Sequence, residues 1–181
     1  MRKLLSFLIV LAFLFGFTIN LKSQISQGGT PKSFSIEDKT NLKEVKFEVM
    51  PYVDVEALKK EDEYIDPLKD RPWRFGQNLE VYLNPDNSGV WDFLSDGSKI
   101  WRLGIVSPGA VSLNLTFDKY RLPKGSQMFI YTPDRKNIIG AFTDFNNQND
   151  GYFATILLPG DQIIIEYYEP KDVDFSGEIS L

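Results

Sequence analysis

From Trp73 onward the chain alternates apolar and polar residues with a period of two. The clearest stretch is 111–118. Val111, Leu113, Leu115 and Phe117 alternate there with Ser112, Asn114, Thr116 and Asp118, the pattern of a strand with one buried face. Leu79, Val81 and Leu83 alternate in the same way with Glu80 and Tyr82, and Trp101, Leu103 and Ile105 share one face of 100–106. Trp91 falls on a face with Phe93. Further strands are predicted over 90–94, 127–132, 138–143, 152–158 and 162–168, and 178–181 begins another. Turn signals separate them: 84–89, Asp96-Gly97, Ser107-Pro108-Gly109, Leu122-Pro123-Lys124-Gly125, Thr132-Pro133-Asp134, 144–151 and Pro159-Gly160-Asp161. Short strands at such regular spacing predict an all-β fold, an antiparallel β-sandwich of jelly-roll type with about eight or nine strands over residues 73–181. That length buries a core without disulfides.

Upstream the texture changes. Residues 25–41 are polar and carry Gly28-Gly29 and Pro31. Residues 45–51 alternate Val45, Phe47 and Val49 with Lys46, Glu48 and Met50, which predicts an edge strand. Asp54 is placed to cap a short charged helix over 55–63, with Val53 and Leu58 positioned as a hydrophobic staple. Pro67 and Pro72 stop it. Residues 24–72 therefore read as a leader that folds on the main domain or links it to something else.

Met1, Arg2 and Lys3 precede an uncharged run from Leu4 to Ile19. As a helix that run reaches about 24 Å at roughly 1.5 Å per residue. It falls short of the roughly 30 Å hydrocarbon core of a bilayer. It predicts a signal peptide over 1–23, with no stable membrane insertion after cleavage. The expected location is the periplasm or the cell exterior.

Composition narrows the chemistry. The 181 residues include no Cys and no His. Disulfides, thiolate nucleophiles, a Ser-His-Asp triad and the common zinc sites are thereby excluded. Residues 1–23 hold Arg2, Lys3 and Lys22 and no acid, so the remainder carries 17 basic and 25 acidic side chains, a formal charge of −8. That balance disfavours nucleic acid as a partner. Two carboxylates flanking a cleft would suit a glycosidase, but the acids here sit in turns and on polar strand faces. The loop 144–151 offers oxygen ligands, yet Asn149 and Thr155 occupy the positions where an EF-hand needs Gly and Glu. No catalytic residue, metal or cofactor is expected. The aromatics are the remaining resource, as core or as a surface for a protein or a glycan.

One set of residues follows a known order. Pro72-Trp73-Arg74-Phe75-Gly76 precedes 96–103, which contains Trp101-Arg102. Leu122-Pro123-Lys124-Gly125, Phe129-Ile130-Tyr131, Ile139-Gly140-Ala141-Phe142-Thr143 and Glu166-Tyr167-Tyr168-Glu169-Pro170 follow. The arrangement resembles the N-terminal pro-region of secreted bacterial lysyl-endopeptidase-like, trypsin-like serine proteases. The resemblance covers nearly all of the chain after residue 23. It implies a non-catalytic module that assists folding of a cognate protease or inhibits it. The protease domain of such precursors has no counterpart within these residues, which casts the chain as a fragment or a stand-alone domain. Trp73, Arg74, Phe75, Trp101, Arg102, Tyr167 and Tyr168 are the family-motif residues expected at the interface. The edge near 177–181 is the expected place for strand addition. The alternative is a free-standing secreted module that binds glycan or protein through the same aromatics.

Overall fold

The computed structural model describes residues 26–36, 42–65 and 72–181. The expected signal peptide and Pro67 lie outside the described residues. Among the described residues no helix is long and apolar enough to cross a membrane.

Among the described residues the secondary structure is mostly strands in several sheets, with one α-helix. A 3-10 turn at Lys32–Phe34 comes first. It is followed by β1 (Phe47–Val49), α1 (Val55–Ile65), β2 (Val90–Phe93) and β3 (Lys99–Val106). Next are β4 (Ser112–Leu113), β5 (Thr116–Phe117), β6 (Lys119–Arg121), β7 (Gln127–Tyr131) and β8 (Ile138–Phe142). A second 3-10 turn at Asp144–Asn146 precedes β9 (Phe153–Ala154), β10 (Leu158–Pro159), β11 (Gln162–Glu169) and β12 (Glu178–Ser180).

Six strands form one sheet in the order β1-β3-β11-β7-β8, with β2 also on β3. The β2–β3 hairpin turns at Asp96-Gly97. Gly97 takes a positive φ of 85° and donates its N–H to the Leu94 carbonyl, while Asp96 accepts from the Ser98 N–H and hydroxyl. One feature departs from expectation: β1 runs parallel to β3, pairing Phe47–Val49 with Gly104–Val106. The sheet is therefore mixed and not purely antiparallel. Gly104 permits this approach, because a Cβ there would sit 2.5 Å from the Phe47 ring. We expect Gly104→Ala to cost about 1 kcal/mol through overpacking. It should also speed exchange of the Met50 amide, which donates to Val106. Unchanged exchange would show that the Phe47 ring simply swings aside.

The predicted strand at 111–118 is interrupted. β4 pairs with β10 and β5 pairs with β9. Between them Thr155 accepts the Leu115 N–H on its hydroxyl and donates its own N–H to the Leu115 carbonyl. The strand predicted over 152–158 divides at the same residue. Residues 79–83 form no strand; only Leu83 pairs, exchanging two backbone bonds with Leu181. The third two-stranded ladder joins β12 to β6.

Inward side chains from β3, β7, β8 and β11 of the large sheet and from the three short ladders meet. Trp101, Leu103 and Ile105 of β3, Ile163, Ile165 and Tyr167 of β11, and Met128 and Ile130 of β7 pack with Leu115, Phe117, Tyr120, Phe153, Leu158 and Ile179. Phe153 is at the centre, stacked on Tyr120 at 4.4 Å and edge-on to Phe142 at 4.8 Å. The parity read from the sequence is retained at Trp101, Leu103 and Ile105 and at Leu115 and Phe117, whereas Phe47 and Val49 of β1 and Phe93 of β2, read as apolar-face residues, are exposed.

Candidate functional site

The second face of the large sheet is the less expected half of the structure. Strand parity puts Arg102, Ile164, Glu166, Phe129 and Tyr131 there, opposite the main core. A polar parity ordinarily means solvent. Here Arg102 is 7% exposed and Glu166 1%, because the leader lies over them. Phe34 and Val45 pack on Phe129, Tyr131, Ala141 and Ile164 as a second apolar cluster. The Gln27 and Gly28 amides donate to Ala141 and Gly140, and the Ala141 amide donates to Gly28. Residues 26–34 thus line the open edge of β8 and cross the face.

Two buried acids fasten this cover. Glu166 accepts from the Ser33 N–H at 2.9 Å, the Ser33 hydroxyl at 2.5 Å and the Tyr131 hydroxyl at 2.9 Å. Burial, with Glu166 beside it, pushes the Tyr131 phenol well above its ordinary range, so it stays a donor. Asp92 accepts from Arg102 at 2.7 Å and from the Lys43 N–H at 2.9 Å, while Arg102 also donates to the Lys43 carbonyl at 2.6 Å. Beside these groups lies a cleft of about 220 Å³, lined partly by Ser33, Lys43, Arg102, Tyr131 and Arg135.

A third acid, Glu169, closes the end of the main core. Its register partner Lys99 lies 2.8 Å away. The Tyr167 hydroxyl donates to Glu169 at 2.6 Å and the Gly177 N–H at 2.8 Å. Burial alone would raise this carboxyl. The Lys99, Tyr167 and Gly177 donors together outweigh burial and hold it below its ordinary value of 4.5.

The seven residues expected at an interface separate into two groups. Trp101 and Tyr167 are register partners in the core, fully buried. The Trp101 indole donates to the Ser88 carbonyl. Arg102 is sealed under the leader. These three are closed to a partner in this structure: Trp101 and Tyr167 lie in the main core, and Arg102 lies on a second covered face that strand parity does not reveal. Tyr168 is half-buried, with the Lys32 ammonium 5.4 Å from its ring. Trp73 and Phe75 are open to solvent, at 79% and 92% exposure. Between them Arg74 turns back onto α1, bonding Glu61 at 2.8 Å and Asp62 at 3.4 Å.

α1 is capped as expected, Asp54 accepting the Ala57 N–H, and it buries none of its residues. Tyr52 and Tyr64, at either end of it, are also exposed. Residues 52–65 and 72–75, the aromatic arm, thus carry four solvent-facing aromatics.

The edge expected near 177–181 for strand addition is occupied. β12 bonds β6 on one side, and Leu181 bonds Leu83 on the other. In the loop 144–151 the Asn146 side chain accepts the Thr143 N–H. Asn147 bonds both the N–H and the carbonyl of Leu122. Among the described residues no three acidic side chains converge as metal ligands.

No protein-family model matches the chain. No solved structure matches it either.

Proposed function

We propose that this protein acts by contact, as an exported non-catalytic β-sandwich that resembles a serine-protease pro-region. In this reading the six-stranded sheet forms one layer and the three short ladders the other. One apolar cluster drawn from both supports that arrangement. Its partner is a lysyl-endopeptidase-like protease, which it inhibits or helps to fold. An all-β protease folds through many long-range contacts, and a bound partner stabilises its native state by mass action.

The observation that carries the reading is the aromatic arm. Trp73 and Phe75 are exposed beside an α1 that buries no residue. Large aromatics anchor protein interfaces more often than other residue types. The four buried charged side chains, Asp92, Arg102, Glu166 and Glu169, are instead engaged in holding elements together. That division supports a surface role over a catalytic one.

The test is a titration of the chain into a lysine-specific trypsin-like protease, following cleavage of a lysyl amide substrate and recovery of activity after denaturation. We expect inhibition or improved recovery. Trp73→Ala and Phe75→Ala should each weaken it tenfold or more, the scale of an interface anchor at about 2 kcal/mol. A wild-type chain that neither inhibits nor aids recovery would remove the proposal.

A further inference from the structure

α1 buries none of its 11 residues. Tertiary packing therefore contributes little to it, and a helix of that length is marginal in water by itself. Its support is local: the Asp54 cap and the exposed Glu56–Lys59 pair at 3.0 Å. Arg74 ties its second half to the segment of Trp73 and Phe75, which are exposed as well. Near its middle stand Lys59 and Lys60, both open to solvent.

The chain is anchored separately on either side of α1. Before it, β1 pairs with β3, the Met50 N–H donates to Val106, and the Lys43 backbone is held by Arg102 and Asp92. After it, Val81 and Leu83 pack on the main core, and Leu83 exchanges two backbone bonds with Leu181. Opening α1 leaves both flanks in place, so it belongs to the low-cost local openings of the fold. Lysines of the sheets and turns are held more firmly. Lys99 and Lys119 lie in β3 and β6, the Lys46 carbonyl accepts from Gly104, and Lys124 and Lys136 sit in hydrogen-bonded turns.

We propose that α1 is a proteolytic processing site, cut by a lysine-specific endoprotease after Lys59 or Lys60, and that the two products stay assembled. An endoprotease grips its substrate in extended form, so a helix must open before it is cut, and the rate follows the population of the open form. α1 meets that requirement without disturbing either sheet. Water adds across the Lys59–Lys60 or Lys60–Glu61 peptide bond. The carbonyl carbon takes the hydroxyl and becomes a carboxylate, and the nitrogen leaves as a free amine. The leader then loses its covalent link to the strands but keeps Ser33 on Glu166, Lys43 on Asp92 and Arg102, and the β1–β3 ladder. The cut converts a tethered cover into a bound one. It needs no inhibition of the protease, so it stands apart from the function proposed above.

The experiment digests the full chain with a small amount of a lysine-specific serine endoprotease under native conditions, following intact masses over time. The first cut should fall after Lys59 or Lys60, and the products should co-elute in native size exclusion and separate in urea. Asp54→Ala removes the cap and should speed that cut about fivefold with the Tm unchanged, because α1 buries nothing. The double variant Lys59→Gln with Lys60→Gln should lose the first cut and keep the wild-type Tm, since both side chains are exposed. A first cut at any other lysine overturns the assignment. So does a rate that Asp54→Ala leaves unchanged, or products that part in native buffer. Cleavage without inhibition of the protease supports this site and removes the function proposed above; inhibition without cleavage does the reverse.

Discussion

Arg102→Ala should destabilise the protein by about 3–5 kcal/mol, the cost of stranding one member of a buried ion pair. The residue left behind is Asp92, 4% exposed and 2.7 Å from the lost guanidinium. Its Lys43 N–H contact would remain, but a single amide does not neutralise a buried carboxylate. For a chain of this size the loss corresponds to a fall in Tm of roughly 10 °C, read by thermal or urea unfolding. Arg102 also holds the Lys43 carbonyl at 2.6 Å. Leader residues 42–50 should therefore become more sensitive to proteolysis than the strands beneath. Replacing both partners, Arg102→Met with Asp92→Leu, should recover much of the loss, since an apolar pair needs no solvation. A single-variant loss below about 1 kcal/mol would match an exposed pair instead, and would mean that the leader does not cover this face in solution.

That result bears on how far the sequence can be read. Period-two alternation identified which side chains share a face in β3. It carried no information about whether the opposite face is wet. Arg102 read as a surface or interface group because it is charged and follows Trp101 directly, so that it points to the opposite face. The cover that buries Arg102 packs there through Phe34 and Val45, isolated apolar positions in a polar stretch that do not announce a packed segment. Ser33 carries no signal at all in sequence; it matters because a long-range backbone path brings it to Glu166. Local chemistry was legible where it is local: the Asp54 cap and the Asp96-Gly97 turn both form. The parallel pairing of β1 was not, since alternation fixes a strand's faces and not its partner's direction. Residues 79–83 show the same limit. Their alternation correctly places Leu83 inward and Tyr82 outward, yet only one residue finds a partner to pair with.

Acid should loosen the closed end of the main core, where Glu169 sits. The Glu169 carboxyl is held below its ordinary value of 4.5, burial being outweighed by Lys99, Tyr167 and the Gly177 N–H. A depressed folded-state pKa stabilises the ionised form, so the contribution is complete above the unfolded value, and it is lost as pH falls through the lower folded value. Wild-type stability should therefore drop as the pH is taken from about 5 downward. Glu169→Gln should be less stable than wild type at neutral pH and should show a shallower decline over the same interval, so that the two curves converge in acid. Gly177→Ala reports on the same contact by sterics. A Cβ at that position would fall inside the Tyr167 hydroxyl, forcing either the ring or the strand leading into β12 to move. Because Tyr167 is fully buried, the strand is the part with room to yield. The amide of Ile179 should then exchange faster while those of β7 stay protected. Parallel acid curves for wild type and Glu169→Gln would show that this carboxylate is not the group whose protonation opens the core.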